Sequence, residues 1–368
     1  MGPHSDLAHL LRTSSRGNVS QWHQPLEIAR HSDRLRQLIP TACRVYPNSF
    51  SYPEPTTARQ RLDLLSEAES ILPTIRHQGL QELVGNHISK ARRSTELAVD
   101  RDDDDYTRAQ VEHLGLPSAA TMAMAAEILA VLPPADHPTP TVSSERLLAM
   151  ITAAIANYAL EGWTAELDSN LAAKVSIAPT LRRIRVRSNI YLTVRQAKRL
   201  LAHEVGGHVL RTANSALQPE PLAVIPLGRT VATEEGLALV VEQTFGLGDD
   251  QQQRTYALRS VAVHEAQTGG ILDVARHLTN WTSLDEATEI AMRVKRGLQD
   301  PNRPGGATKD FAYLEGFLLL ASTPDSTRDL LGSVKWGQEN LSVVADLHAS
   351  GGLYPVRYRP DAGLLGVL

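Results

Sequence analysis

A single cysteine, Cys43, stands in a chain of 368 residues. No intramolecular disulfide and no thiolate metal site can form from it, and a reducing compartment is expected. An excess of basic charge is missing too. Lys and Arg number 37 against 41 Asp and Glu, the formal net charge is -4, and the basic residues are scattered along the chain. Nothing resembles a stripe that neutralises phosphates, which argues against nucleic acid as a partner. No apolar run approaches the roughly 20 residues of a membrane-crossing helix, and the first residues lack the apolar centre and cleavage signature of a secretory leader. The opening Met1-Gly2-Pro3-His4-Ser5-Asp6 misses the myristoylation pattern, because Asp6 stands where Ser or Thr is needed. No membrane partner and a cytoplasmic location are therefore expected. A repeat period of roughly 20 to 50 residues is also absent.

What is present is the composition of an ordinary globular protein, 42% hydrophobic and 21% charged, able to bury a substantial core. From about Leu7 to Leu132 the pattern predicts a series of amphipathic helices, broken at Pro40, at Pro53 to Pro55, near Gly85 and at Gly115 to Pro117. The acidic run Asp102 to Asp105 lacks the alternating ligands and central glycine of a calcium loop and reads as a solvated turn or helix start. Pro133, Pro134, Pro138 and Pro140 give the strongest linker signal, followed by Ser143 and Ser144 as caps of a helix through Tyr158. The expected division is a helical region over 1–135 and a catalytic domain over 136–368, with one continuous unit as the alternative. Trp163 to Leu167 and Ile184 to Val186 are the strand candidates of a small sheet. After Thr193 nearly every segment reads as helix, punctuated at Pro219 to Pro226, Gly246 to Asp250 and Pro301 to Gly306. The fold class is α+β and mainly α-helical.

Thr193-Val194-Arg195-Gln196 fits a capping box, so a helix should begin at Thr193. Along it runs His203-Glu204-Val205-Gly206-Gly207-His208, one residue longer than the H-E-x-x-H of zinc peptidases. On a regular α-helix side chains four apart diverge by about 40° and those five apart by about 140°, so both imidazoles cannot reach one ion. An i to i+5 bulge would bring them back into register, and Gly206 and Gly207 permit such a distortion, or an early helix end, at least cost. The competing reading is an ordinary helix with one core and one surface histidine. A third ligand should be a carboxylate from a later helix, and Thr233-Glu234-Glu235-Gly236-Leu237-Ala238 offers one, with Thr233 as cap. Paired glutamates also serve as plain helix-start acids.

These stretches resemble the QEGLA-motif proteins, a family whose animal members include microtubule-associated tyrosine carboxypeptidases and whose bacterial members are named for flavohemoglobin expression modulation. The resemblance is carried by Ala202 to Arg211, then Asn214, Gln218, Pro219 and Gly228, then Glu234 to Ala238. A second block is Arg296-Gly297, Gly305 to Asp310, Tyr313-Leu314 and Gly316. It implies a zincin-like metallopeptidase core with Zn2+ on His203, His208 and Glu235, and Glu204 as the general base acting on a zinc-bound water. The chain departs from the family in one place, where Glu234 replaces the usual Gln and adds a carboxylate beside the metal.

Peptide hydrolysis is the activity so implied, with a peptide or protein C-terminus as substrate. Tyr313, or a histidine such as His264, is the candidate to help stabilise the oxyanion. Lys309 is the first candidate to pair with the substrate's terminal carboxylate, with Arg293 and Arg296 as alternatives. Arg211, one turn beyond His208, is placed to orient a carboxylate near the metal or to form a surface ion pair. A tubulin tail is not expected, since no basic tract would receive so acidic a segment. Two other readings stand beside this one: a peptidase dedicated to a small modified biosynthetic peptide, and a metal-binding regulatory protein without turnover. A pure metal-binding module has no need of Glu204.

Overall fold

The computed structural model describes residues 2–16, 19–132, 140–169, 171 and 173–365. Pro133, Pro134 and Pro138 of the expected linker lie outside the described residues. The chain divides into two compact units. Unit 1 takes Met1–Pro134 and Asp250–Glu315, and unit 2 takes Ala135–Asp249 and Gly316–Leu368. The stretch expected as one catalytic domain, 136–368, therefore surrenders residues 250 to 315 to the N-terminal helices.

Unit 1 is helical: α1 (Pro3–Ser14), α2 (Ile28–Leu38), α3 (Ala58–Ile71), α4 (Gln78–Val99), α5 (Asp103–Leu114) and α6 (Ala119–Val131) come first in the chain. The expected break at Gly85 does not occur, because Gly85 lies inside α4, where a Cβ would sit 3.2 Å from Leu72. The actual interruption is the turn at Leu72–Thr74, which carries Pro73. The acidic run starts a helix as read: Asp102 caps α5 by accepting from the Asp105 amide at 2.8 Å. Buried Asp103 accepts from the amides of Gln299 and Asp300.

Unit 2 begins with α7 (Ser144–Asn157), capped by Ser143. Strands β1 (Val142–Ser143) and β5 (Tyr191–Leu192) form an antiparallel pair. β2 (Thr164–Asp168), β3 (Val175–Ala178) and β4 (Arg183–Arg187) form a sheet ordered β2-β4-β3, with β2 parallel and β3 antiparallel to β4. Ile184 and Val186 point from β4 into the core while Arg183, Arg185 and Arg187, which alternate with them, face outward, the period-2 alternation of a sheet with one wet face. β3 carried no clear signal in the sequence. The core beneath joins Met150, Ile151, Ile184, Val186, Leu201 and Val205.

Next come α8 (Val194–Leu201), a π-helical turn over Ala202–Val209, α9 (Leu210–Ala216) and α10 (Thr230–Thr244). The chain then returns to unit 1 with α11 (Asp250–Ala266), α12 (Ile271–Leu278) and α13 (Leu284–Lys295). α11 packs on α6, and α13 packs on α2. Ala257, Leu258, Val261 and Ala262 on α11 are buried, so this helix completes the apolar core of the N-terminal helices. No single described helix is long and apolar enough to cross a membrane; α5 and α6 pass together by composition but are bent by 92°.

Candidate metal centre

The capping box at Thr193 sets the phase of everything that follows. Thr193 Oγ1 accepts from the Gln196 amide, and Gln196 Oε1 accepts from the Thr193 amide, both at 3.1 Å. After two regular turns the backbone switches to π-helical hydrogen bonding over Ala202–Val209, the segment that holds both histidines. This is the i to i+5 distortion that the five-residue spacing requires. It brings the rings of His203 and His208 to a centroid separation of 4.9 Å at 78°. Regular α-helix resumes at Leu210.

The glycines have a further reason. A Cβ on Gly207 would lie 2.5 Å from Ala238 Cβ, and one on Gly206 would lie 2.8 Å from Leu364. Bare backbone lets α10 approach the π-helical turn closely enough for its glutamates to reach the imidazoles. Thr233 is not the cap of α10, since the helix starts a turn earlier at Thr230; Thr233 instead accepts from the Gln338 amide at 2.8 Å.

Glu235 Oε2 lies 3.4 Å from His203 Nε2 and 3.7 Å from His208 Nε2. One ligand atom from each of the three residues falls within 4.8 Å of the others, and among the described residues this is the group so disposed. Each imidazole is fixed from behind. His203 Nδ1 meets Glu242 at 2.7 Å, and His208 Nδ1 meets Glu234 at 2.9 Å. A carboxylate oxygen accepts, so each Nδ1 carries a proton and each Nε2 faces Glu235, the nitrogen that would bind an ion once deprotonated. Two imidazoles and one carboxylate so oriented fit a zinc ion in both donor type and tautomer.

A second ring of charge surrounds these carboxylates. Glu242 also receives Arg199 at 3.2 Å. Glu234 receives Arg211 at 2.9 Å and a close contact from Lys335. Burial alone would raise the Glu234 carboxyl, but Lys335 and Arg211 outweigh it and hold the group well below the usual carboxylate range. In the metal-free protein burial lowers the His203 pKa, yet bonds to Glu235 and Glu242 overcome this and lift it to about 10. Glu204 lies close enough to feel His203, His208 and Glu235; burial dominates and raises its pKa. A carboxylate so raised is a stronger base near neutral pH.

Arg199, Glu242 and Lys335 escaped the sequence reading. Glu242 follows Glu235 by seven residues, two turns on the same face of α10, and Arg199 precedes His203 by four; both periods were there to be used. Lys335 is distant in the chain and left no local signal. The other expected site residues belong to unit 1. Tyr313 stacks on Tyr256, Arg293 and Arg296 face Asp310, Lys309 is exposed, and His264 lies in the last turn of α11.

A histidine pair in a π-helical turn, a facing glutamate and an adjoining half-buried carboxylate make a candidate metal centre on an H-E-x-x-x-H sequence. The family model described as microtubule-associated tyrosine carboxypeptidase matches residues 45–363, and the chain belongs to this family. Over 131 residues it is 30% identical to microtubule-associated tyrosine carboxypeptidase 1 of Mus musculus, covering 33% of this chain and 27% of that protein. The Homo sapiens protein of the same name is 29% identical over 130 residues, covering 33% of this chain and 26% of its own. The aligned part thus spans about a quarter of the length of these relatives.

Proposed function

We propose that the chain is a zinc-dependent carboxypeptidase that removes a residue from the C-terminus of a peptide or protein. The observation that carries this reading is the convergence of His203 Nε2, His208 Nε2 and Glu235 beside a half-buried carboxylate, Glu204, that takes no part in the ligand set. When bound, zinc supplies Lewis acidity that polarises a carbonyl and makes water a nucleophile near neutral pH. His203, His208 and Glu235 would hold it. Glu242 and Glu234 keep the imidazoles in the ligating tautomer, Arg199 pairs with Glu242, and Lys335 and Arg211 hold the Glu234 carboxylate ionised. Glu204 accepts the proton that water gives up and delivers it to the departing amine. The exopeptidase direction and the C-terminal substrate are supported by family membership.

The test combines elemental analysis with a free-acid peptide library. About one zinc per chain is expected. Glu204→Gln keeps shape and metal but cannot take the proton, so turnover should fall by roughly 100- to 10,000-fold at unchanged zinc content. Wild-type turnover in that variant would remove Glu204 as the base. A metal-free purified protein that fails to take up zinc would remove the whole reading.

A further inference from the structure

One cluster in unit 1 is short of an anion. Asp310, with a side chain 5% exposed, binds Arg293 through both oxygens, at 2.7 Å from Nε and 2.9 Å from Nη2. Arg296 reaches the same carboxylate only at 3.7 Å. Among the described residues Arg259 reaches no carboxylate within ion-pair distance. Its guanidinium lies 5.5 Å from the centroid of the Tyr313 ring, which is stacked on Tyr256 at 4.5 Å and 9°. Its Nε is buried and has no hydrogen-bond partner among the described residues. The three guanidiniums act on Asp310 together, and although burial pushes that carboxyl up they hold it far below its ordinary range.

Arg61 and Arg101 in unit 1 also keep one buried donor without a partner, but each donates elsewhere, Arg61 to the Ser14 carbonyl at 2.6 Å and Arg101 to that of Trp22, whereas Arg259 makes no hydrogen bond among the described residues. Arg254 donates to the carbonyls of Leu129, Leu132 and Trp281, and Arg276 to those of Leu38, Ile39, Thr41 and Cys43. A guanidinium with a buried unmatched donor and neither a carbonyl nor a carboxylate to receive its protons is open to an added acceptor. The charge count indicates which. Arg293 and Arg296 face Asp310 at 2.7 and 3.7 Å, Arg259 lies on α11, which packs on the turn Lys309–Phe311 that holds Asp310, and Glu289, exposed on α13, also acts on Arg293. Three positive charges less two negative leave one, which a single carboxylate neutralises and a dianionic phosphate overshoots. Arg293 has committed its fork to Asp310, whereas Arg259 and Arg296 retain planar donors suited to a carboxylate.

We propose that Arg259, assisted by Arg296, forms a carboxylate-binding site within unit 1 that takes the free C-terminus of a peptide. The nature of this ligand rests on the carboxypeptidase reading; the anion site itself rests on the cluster. Zinc-loaded full-length protein carrying Glu204→Gln, in which turnover is suppressed, is titrated calorimetrically with a short peptide as free acid, with its C-terminal amide and with inorganic phosphate. The free acid should bind roughly 10- to 150-fold more tightly than the amide, and adding Arg259→Gln should abolish that difference. Arg259→Lys keeps the charge and loses the fork, and should give an intermediate preference; it also decides the matter if Arg259→Gln does not fold. Equal binding of acid and amide overturns the proposal, as does a preference that survives at Arg259→Gln or at Arg259→Lys unchanged. Displacement of the peptide by phosphate as effective as by the free acid would make this a general oxyanion site and overturn the peptide assignment. Hydrolysis by the protein with Glu204 intact is read separately, so an inactive protein that still prefers the acid ends the peptidase reading and leaves the anion site standing.

Discussion

In unit 1 the fully buried Lys295 shares its three N–H donors among four main-chain carbonyls, those of Ala266, Gly269, Arg303 and Gly305, at 2.6 to 3.3 Å. In unit 2 Lys335 and Arg211 turn to the carboxylate of Glu234, which itself braces His208. Both arrangements place basic groups in the interior, yet they do different work. In unit 1 the ammonium closes the ends of segments whose carbonyls have no helical partner, and gathers the glycine-rich turn at Gly305. In unit 2 the cations balance an acid that braces one of the two imidazoles of the candidate metal site. The comparison teaches that a count of Lys and Arg says little about partners, since many of them are consumed internally in one of these two ways. Arg259 is the case that fits neither.

The largest stability effect should come from Lys295. Lys295→Met leaves buried carbonyls without a donor, and we expect a loss of about 3 kcal/mol in denaturant unfolding, with the glycine-rich turn loosened first in hydrogen exchange. A loss below about 1 kcal/mol would mean that water or relaxation replaces the ammonium, and the carbonyl-closing role would be lost.

Glu234→Gln breaks the other half of the comparison. It strands two buried cations, and a cost of about 2 kcal/mol is expected, most of it recovered when Lys335→Met is added. The recovery is the informative part. A double variant no more stable than Glu234→Gln alone would show that the acid and the amine are not coupled. Glu242→Gln should be milder toward folding, because Arg199 alone is left, but should weaken zinc binding by roughly 10- to 100-fold in a chelator competition. Unchanged affinity there would leave His203 without need of its orienting carboxylate.

How much of this was legible beforehand differs between the same two regions. The capping box at Thr193, the strand alternation at Ile184 and Val186, and the need for an i to i+5 turn between His203 and His208 are local, and each follows from residue type and period. The glycines were read for their flexibility, while the structure assigns them a packing role against Ala238 and Leu364 as well, which no local pattern encodes. The same limit applied to Lys335, whose partner is 101 residues away, and to the return of 250 to 315 into unit 1. A helix shows its apolar face in its sequence, but not which other helix that face meets. Pairing Lys309 with a carboxylate was a guess from sequence neighbours, and the two arginines offered beside it prove to share Asp310.

Lys309 yields the smallest expected effect and the sharpest division between the two cationic candidates of unit 1. It is exposed at the start of the turn Lys309–Phe311, and replacing an exposed side chain without a defined contact changes stability by no more than about 0.5 kcal/mol. If Arg259 is the carboxylate reader, Lys309→Ala should keep the preference for free acid over amide within about threefold, the residue left by weak, screened attraction at an exposed charge. If Lys309 is the reader, the same substitution should remove a charge-assisted contact and cost roughly 10- to 150-fold in kcat/KM on free-acid peptides while leaving amides untouched. The two outcomes are far enough apart to be separated in one assay at two salt concentrations, because an exposed ammonium loses its influence as ionic strength rises and a partly buried guanidinium retains more of it. A salt-insensitive preference that survives Lys309→Ala and disappears in Arg259→Gln is the pattern that the charge distribution of unit 1 requires.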